Sequence, residues 1–301
     1  MPFVRRVIDL RPGEGSLVAR VFGLLFALVA AHTVLETARD ALFLRALPAS
    51  RLTLVYIGLA VLGAVVPFYN GRLMSLFGRR TALVFTLMLA AMGTTLIYLQ
   101  PLVGWQVYGL YMWSALLGTL LVIQFWLVAA QVFTVAQGKR LFAGLASGGV
   151  LGAVAGGGLA SALLELLPHG DSGVHPLLAL AVAILLVAAL LATTIPSDEV
   201  ALAAQPRARP PLREAFGVLH EQPFVLRLSV VLSVSTAVLL LTDFTFKSVA
   251  KAELSGAELG PFFARYYAVL NSVALVVQLL IAQRVVQRFG VVFALLTLPL
   301  L

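Results

Sequence analysis

The sequence predicts an all-α integral membrane protein, and three observations carry that prediction. Of its 301 residues 61% are hydrophobic and 11% charged, whereas a water-soluble domain carries about 25% charged residues. Eight apolar runs lie near the roughly 20 residues that a helix needs to cross the hydrocarbon layer. Basic residues gather in alternate connections between those runs.

The first run, Leu17 to Ala38, follows Arg5 and Arg6 and ends in Val29-Ala30-Ala31, a pattern a signal peptide could share. Its charged continuation, His32, Glu36, Arg39 and Asp40 within AHTVLETARDALFLRAL, favours a retained helix. At 3.6 residues per turn these four share one face. An ionised side chain at mid-bilayer costs about 2.5–3.5 kcal/mol, so such a face is kept where other charges, water or a solute meet it.

After the turn RALPASR, the second run (Leu52 to Asn70) leads into the loop NGRLMSLFGRR and the third run (Thr81 to Leu99). The fourth, Leu102 to Phe133, carries Trp113, Ser114, Thr119, Gln124, Trp126 and Gln131, which need partners inside a membrane and point first to helix–helix hydrogen bonds. The fifth, Leu141 to Leu167, spaces Gly144, Gly148, Gly152 and Gly156 four apart, a seam for close backbone approach. A plain loop with His169 and His175 precedes the sixth run, His175 to Ile195. The Pro-rich segment 196–223 reads as a linker between an N-terminal six-helix bundle (1–195) and a partial C-terminal bundle (224–301). The seventh run, Phe224 to Phe246, continues into LLTDFTFKSVAK, with Asp243 and Lys247 four apart. The eighth, Phe262 to Gln283, is followed by Phe289-Gly290, echoing Phe77-Gly78, and by a ninth run from Val291, so the chain reads as a truncated twelve-helix protein.

If the N-terminus is cytoplasmic, Arg5, Arg6, Arg11, Arg20, Arg72, Arg79, Arg80, Lys139, Arg140, Arg207, Arg209, Arg213, Arg227, Arg284 and Arg288 fall inside. Arg45, Arg51 and Lys251 fall outside, so the asymmetry fixes the orientation in an inner, or cell, membrane. The net charge of +8 is thereby explained without a nucleic-acid partner. Zero cysteines exclude disulfides and thiolate metal sites. No phosphate loop of the G-x-x-x-x-G-K-[ST] type and no nucleophile–base constellation occurs, so neither an enzyme, a cofactor nor a metal is expected.

Gly71, Gly78, Arg79 and Arg80 resemble the G-x-L-x-x-x-x-G-R-R loop of the major facilitator superfamily, although Ser75 and its neighbours supply no acid. That implies a major-facilitator-like bundle. TARDALFL, FWLVAAQVFTVAQGKRLFAGLASGG and TDFTFKS together resemble the bacterial and plastid ATP/ADP translocases, with Arg39 where that family has lysine and Gln137 where it has an acid. The resemblance implies a secondary transporter exchanging nucleotides by alternating access.

In that reading Arg39 and Lys247 are the phosphate-binding cations, and Tyr267 and Asn271, with Tyr266, reach a base. Glu36, Asp40 and Asp243 hold the cations when the site is empty. Gly71, Gly78, Arg79, Arg80, Lys139 and Arg140 form gating loops. The expected partners are the lipid bilayer and a small anionic solute, a nucleotide. Two other readings remain: an ion-coupled exporter of organic solutes using Glu36, Asp40 or Asp243 as proton site, and a transport-dead scaffold or sensor.

Overall fold

The computed structural model describes residues 10–166, 174–196, 217 and 221–278, apart from the side chain of Phe68. Eight long helices follow one another: α1 (Gly15–Ala46), α2 (Leu52–Phe77), α3 (Arg79–Tyr98), α4 (Trp105–Val132), α5 (Val135–Leu166), α6 (Pro176–Thr193), α7 (Pro223–Glu253) and α8 (Leu259–Val276). All eight are long and apolar enough to cross a membrane. Among the described residues there is no strand. Arg5, Arg6, His169, the Pro-rich core of segment 196–223, Arg284, Arg288, Phe289-Gly290 and the ninth run lie outside the described residues.

The helices outrun the apolar segments. α1 has 32 residues, about 48 Å at 1.5 Å per residue, so its ends project beyond a hydrocarbon layer of about 30 Å. The loop expected over NGRLMSLFGRR is likewise helical through Gly71 to Phe77. Asn70, Arg72 and Ser75 end the apolar run but not the helix, because past the hydrocarbon edge a helix needs no apolar side chains. The connection shrinks to Gly78, which closes α2 through its N–H to the Met74 carbonyl (3.0 Å) and opens α3 at φ 78°. Only glycine adopts that φ without strain.

α1 lies at the centre, packed against α4, α5, α6, α7 and α8, with Leu24, Leu28, Ala31, Leu35, Ala38 and Leu44 buried. The glycine seam of α5 makes the closest approach. A Cβ on Gly152 would fall on the Phe26 carbonyl, one on Gly156 would lie 2.5 Å from the Ala30 oxygen, and one on Gly148 3.1 Å from the Phe22 oxygen. The adjacent Gly157 serves a different neighbour, since its Cβ would stand 2.7 Å from the backbone nitrogen of Ala268 in α8. Two of the polar residues of α4 bond between helices, as expected: Gln124 donates to Asn70 of α2 (2.9 Å) and Thr86 of α3 (3.0 Å), and Trp113 to Thr94 (3.1 Å). Ser114 and Thr119 instead donate within α4, to the carbonyls of Tyr111 (3.1 Å) and Ala115 (3.2 Å).

The two ends of the bundle differ. At the end holding the start of α1, Arg20 donates to the Thr194 carbonyl (2.6 Å), Arg80 to that of Ile195 (2.8 Å) and Arg79 to that of Leu127 (3.2 Å). These arginines answer the negative ends of α6 and α4. At the opposite end Arg265 of α8, which sequence reading left unassigned, pairs with Glu165 of α5 at 3.1 Å. There too α7 and α8 meet the preceding helices. α7 is largely exposed from Phe224 to Leu241 and becomes buried only at Lys247 and Ala250.

Candidate functional site

Helical spacing builds two local pairs. Glu36 and Arg39 are three apart on α1, and Arg39 Nη2 donates to Glu36 Oε1 at 2.8 Å. Asp243 and Lys247 are four apart on α7, acid before base, which is the favoured order, and Lys247 Nζ donates to Asp243 Oδ2 at 2.9 Å. Asp40 joins them. Its Oδ1 accepts from Arg39 Nε and from Lys247 Nζ, each at 3.1 Å, and its Oδ2 accepts from the Tyr267 hydroxyl of α8 at 2.6 Å. One carboxylate oxygen is therefore shared by two cations from helices that lie some 200 residues apart in sequence.

Two tyrosines invisible to sequence reading complete the cluster. Tyr111 of α4 places its ring under the Arg39 guanidinium, 4.5 Å from the centroid, and its hydroxyl accepts from Lys247 Nζ at 2.8 Å. Tyr56 of α2 donates to Asp243 Oδ2 at 2.6 Å. Lys247 thus uses all three ammonium donors, on Asp40, Asp243 and Tyr111. Hydroxyls needing partners in an apolar helix were the available signal. Among alanines and leucines, however, Tyr111 reads as ordinary core.

Exposure separates the three acids. The Asp40 side chain is fully buried, that of Glu36 is 27% exposed and that of Asp243 37%. Charge is also unequal, with two cations facing three carboxylates. No positive charge in the cluster lacks a counter-charge, and Glu36 and Asp243 are the two acids that open space can reach.

Other expected residues lie apart. Asn271 donates to the Tyr267 carbonyl at 2.7 Å, one turn along α8. Tyr266 stacks on Phe246 with centroids 4.4 Å apart. His32 does not share the face of Asp40. Eight residues at 100° each leave the two about 80° apart around the helix, and the imidazole packs against Gly118 of α4, where a Cβ would collide with it. His32 Nδ1 is buried with no hydrogen-bond partner.

Of the supposed gating residues, Gly71, Gly78, Arg79 and Arg80 sit at the α2–α3 connection described above. Lys139 is exposed. Arg140 Nη2 lies 2.9 Å from Glu14 Oε1, tying the start of α5 to that of α1. Gln137, in the place of the resembled family's acid, donates to the same oxygen at 3.0 Å, and its Oε1 accepts the Thr134 N–H at 2.9 Å in an N-terminal capping box. The Gln137 bond above all, then the Arg11 backbone N–H and Arg140, hold the Glu14 carboxyl down to about 2.

An all-helical membrane bundle whose buried charges converge from its first and seventh helices has the construction of a multi-pass membrane transporter. The chain belongs to the TLC ATP/ADP transporter family, whose model matches residues 23–301. No curated protein and no solved structure matches the chain. The match takes in both pair-bearing helices, and nucleotide exchange across a membrane is the family's function.

Proposed function

We propose that the chain exchanges ATP-type for ADP-type nucleotides by alternating access, with Arg39 and Lys247 receiving the phosphates. The carrying observation is the sharing of one Asp40 oxygen by these two buried cations, 3.1 Å each, across α1 and α7. Two cations held that close form a divalent anion receptor once their counter-acids yield. Arginine offers phosphate a fork of donors and lysine a compact charge. Glu36 and Asp243 are the counter-ions placed to yield, and on α8 Tyr267, bonded to Asp40 at 2.6 Å, stands at the site with Asn271 one turn farther along.

The basic end of the bundle, with Arg20, Arg79, Arg80, Lys139 and Arg140, faces the cytoplasm of an inner membrane. Residues 1–195 and 224–301 then act as two major-facilitator-like halves joined by the linker 196–223, and the contacts gathered around Lys247 close the outer side. The surplus carboxylate favours a second reading, an ion-coupled exporter with Glu36, Asp40 or Asp243 as its proton site.

Labelled ATP and ADP counterflow into liposomes decides between them. Wild type should exchange nucleotide, while Arg39→Gln and Lys247→Gln, each eluting as a monodisperse peak, should lose it. A wild type that moves no nucleotide, or two variants that move it normally, overturns the phosphate reading.

A further inference from the structure

Resting on that reading, we infer that the three carboxylates have different duties, and that Asp40 is the latch that makes exchange obligatory. It holds the outer side shut in the empty carrier until a bound nucleotide draws Lys247 away from it.

The argument starts from what each acid can do when an anion arrives. Glu36 and Asp243 are 27% and 37% exposed, so either has room to turn aside and surrender its cation to a phosphate oxygen. Asp40 has no such exit. Its side chain is fully buried, and its partners come from three helices: Arg39 on its own α1, Lys247 on α7 (3.1 Å) and Tyr267 on α8 (2.6 Å). The first half therefore grips α7 and α8 through one carboxylate. Separation at this end leaves Asp40 with Arg39, on its own helix, but takes Lys247 from it with nothing in the empty carrier to replace that counter-charge, a strongly disfavoured loss of a buried ion pair, so separation is blocked.

Nucleotide changes the balance. Phosphate oxygens reaching the cluster along the Glu36 and Asp243 side compete for the same N–H donors and neutralise both cations. Arg39 keeps its Nε on Asp40, so that carboxylate stays paired, while Lys247, answered by phosphate, no longer depends on it, and the grip between the halves is reduced to hydroxyl bonds. The empty carrier is locked and the loaded carrier is free, the condition for exchange without net leakage. The ligand acts here only through its differential affinity for the two states.

Glu36→Gln and Asp40→Asn should therefore behave oppositely although each removes one negative charge. Glu36→Gln removes a competitor for Arg39, so it should lower the KM for nucleotide and leave exchange strict. Asp40→Asn keeps the shape but removes the latch, so preloaded liposomes should leak nucleotide into nucleotide-free buffer roughly tenfold faster than wild type. Tyr267→Phe, which deletes only the hydroxyl bond to Asp40, should leak in the same direction and guards against misfolding of Asp40→Asn.

A second readout needs no substrate. Ala250 is buried three residues beyond Lys247 on α7, and the chain has no native cysteine. Ala250→Cys should resist an impermeant maleimide added outside and become reactive when combined with Asp40→Asn or Tyr267→Phe. Strict exchange in both variants with Ala250→Cys still protected refutes the latch alone, as does a wild type that leaks as fast as they do. A wild type that transports no nucleotide refutes the function reading instead, while the labelling result continues to decide the latch.

Discussion

Alanine substitutions along the glycine face of α5 should rank by the space each Cβ would meet. Gly158 has nothing within 4 Å, Gly148 has the Phe22 ring and carbonyl at 3.0–3.1 Å, Gly156 the Ala30 oxygen at 2.5 Å, and at Gly152 the Cβ would overlap the Phe26 carbonyl. The obstacle at Gly152 and Gly156 is backbone of α1, which cannot rotate aside as a side chain can. Forcing a methyl into such a contact costs about 1–3 kcal/mol. At Gly158 the exchange meets no obstacle and gains up to about 1 kcal/mol of helix propensity. At about 2–4 °C per kcal/mol for chains of this order, Gly152→Ala should lower the apparent melting temperature by roughly 2–12 °C. Gly148→Ala should fall between, and Gly158→Ala should match or exceed wild type. The assay is monodisperse elution after heating in detergent, all four variants side by side. A Gly152→Ala protein as stable as wild type, or four equal losses, would refute the close-packed seam.

Three further outcomes follow from separate contacts. Gly118→Ala should destabilise the protein by displacing His32, and His32→Ala in the same chain should recover most of the loss, so additive losses in the double variant would separate the two residues. The Glu14 carboxyl titrates near 2 in the folded protein against its ordinary 4.5. Its stabilising share is therefore complete above 4.5 and disappears as pH falls toward about 2; stability curves of wild type and Glu14→Gln should converge over that window, and parallel curves would contradict the Gln137 and Arg140 contacts. Single cysteines at the exposed Lys139 and Glu165 should label from opposite sides of the membrane, and labelling from one side would overturn the orientation.

Much of this architecture was legible because the membrane makes sequence blunt. Each helix announces itself by an apolar run, and each pair such as Glu36–Arg39 or Asp243–Lys247 by spacing alone. What was lost lies between helices. No local rule joins Tyr111 to Lys247 or Tyr56 to Asp243, since those bonds depend on how α2, α4 and α7 cross. Glu14 and Arg140 escaped for the same reason. The helical stretch Gly71–Phe77 was misread because hydrophobicity marks where the bilayer stops, and a helix obeys backbone hydrogen bonding instead. His32 was misplaced by treating a face as wider than the 80° that separates it from Asp40.

The two glycine faces of α5 carry a consequence for how variation in this protein would be read. Gly152 and Gly156 touch α1, and Gly157 touches α8; none has a side chain with which to bind, donate or titrate. Yet almost every alternative amino acid at these positions would wedge two helices apart. A saturation scan scored by transport would therefore rank them beside Arg39 and Lys247, the proposed phosphate cations, and intolerance alone would not tell a bearing surface from a binding site. Substitutions that spare folding but change which solute is carried would single out the cations, whereas glycine positions would fail for every solute alike.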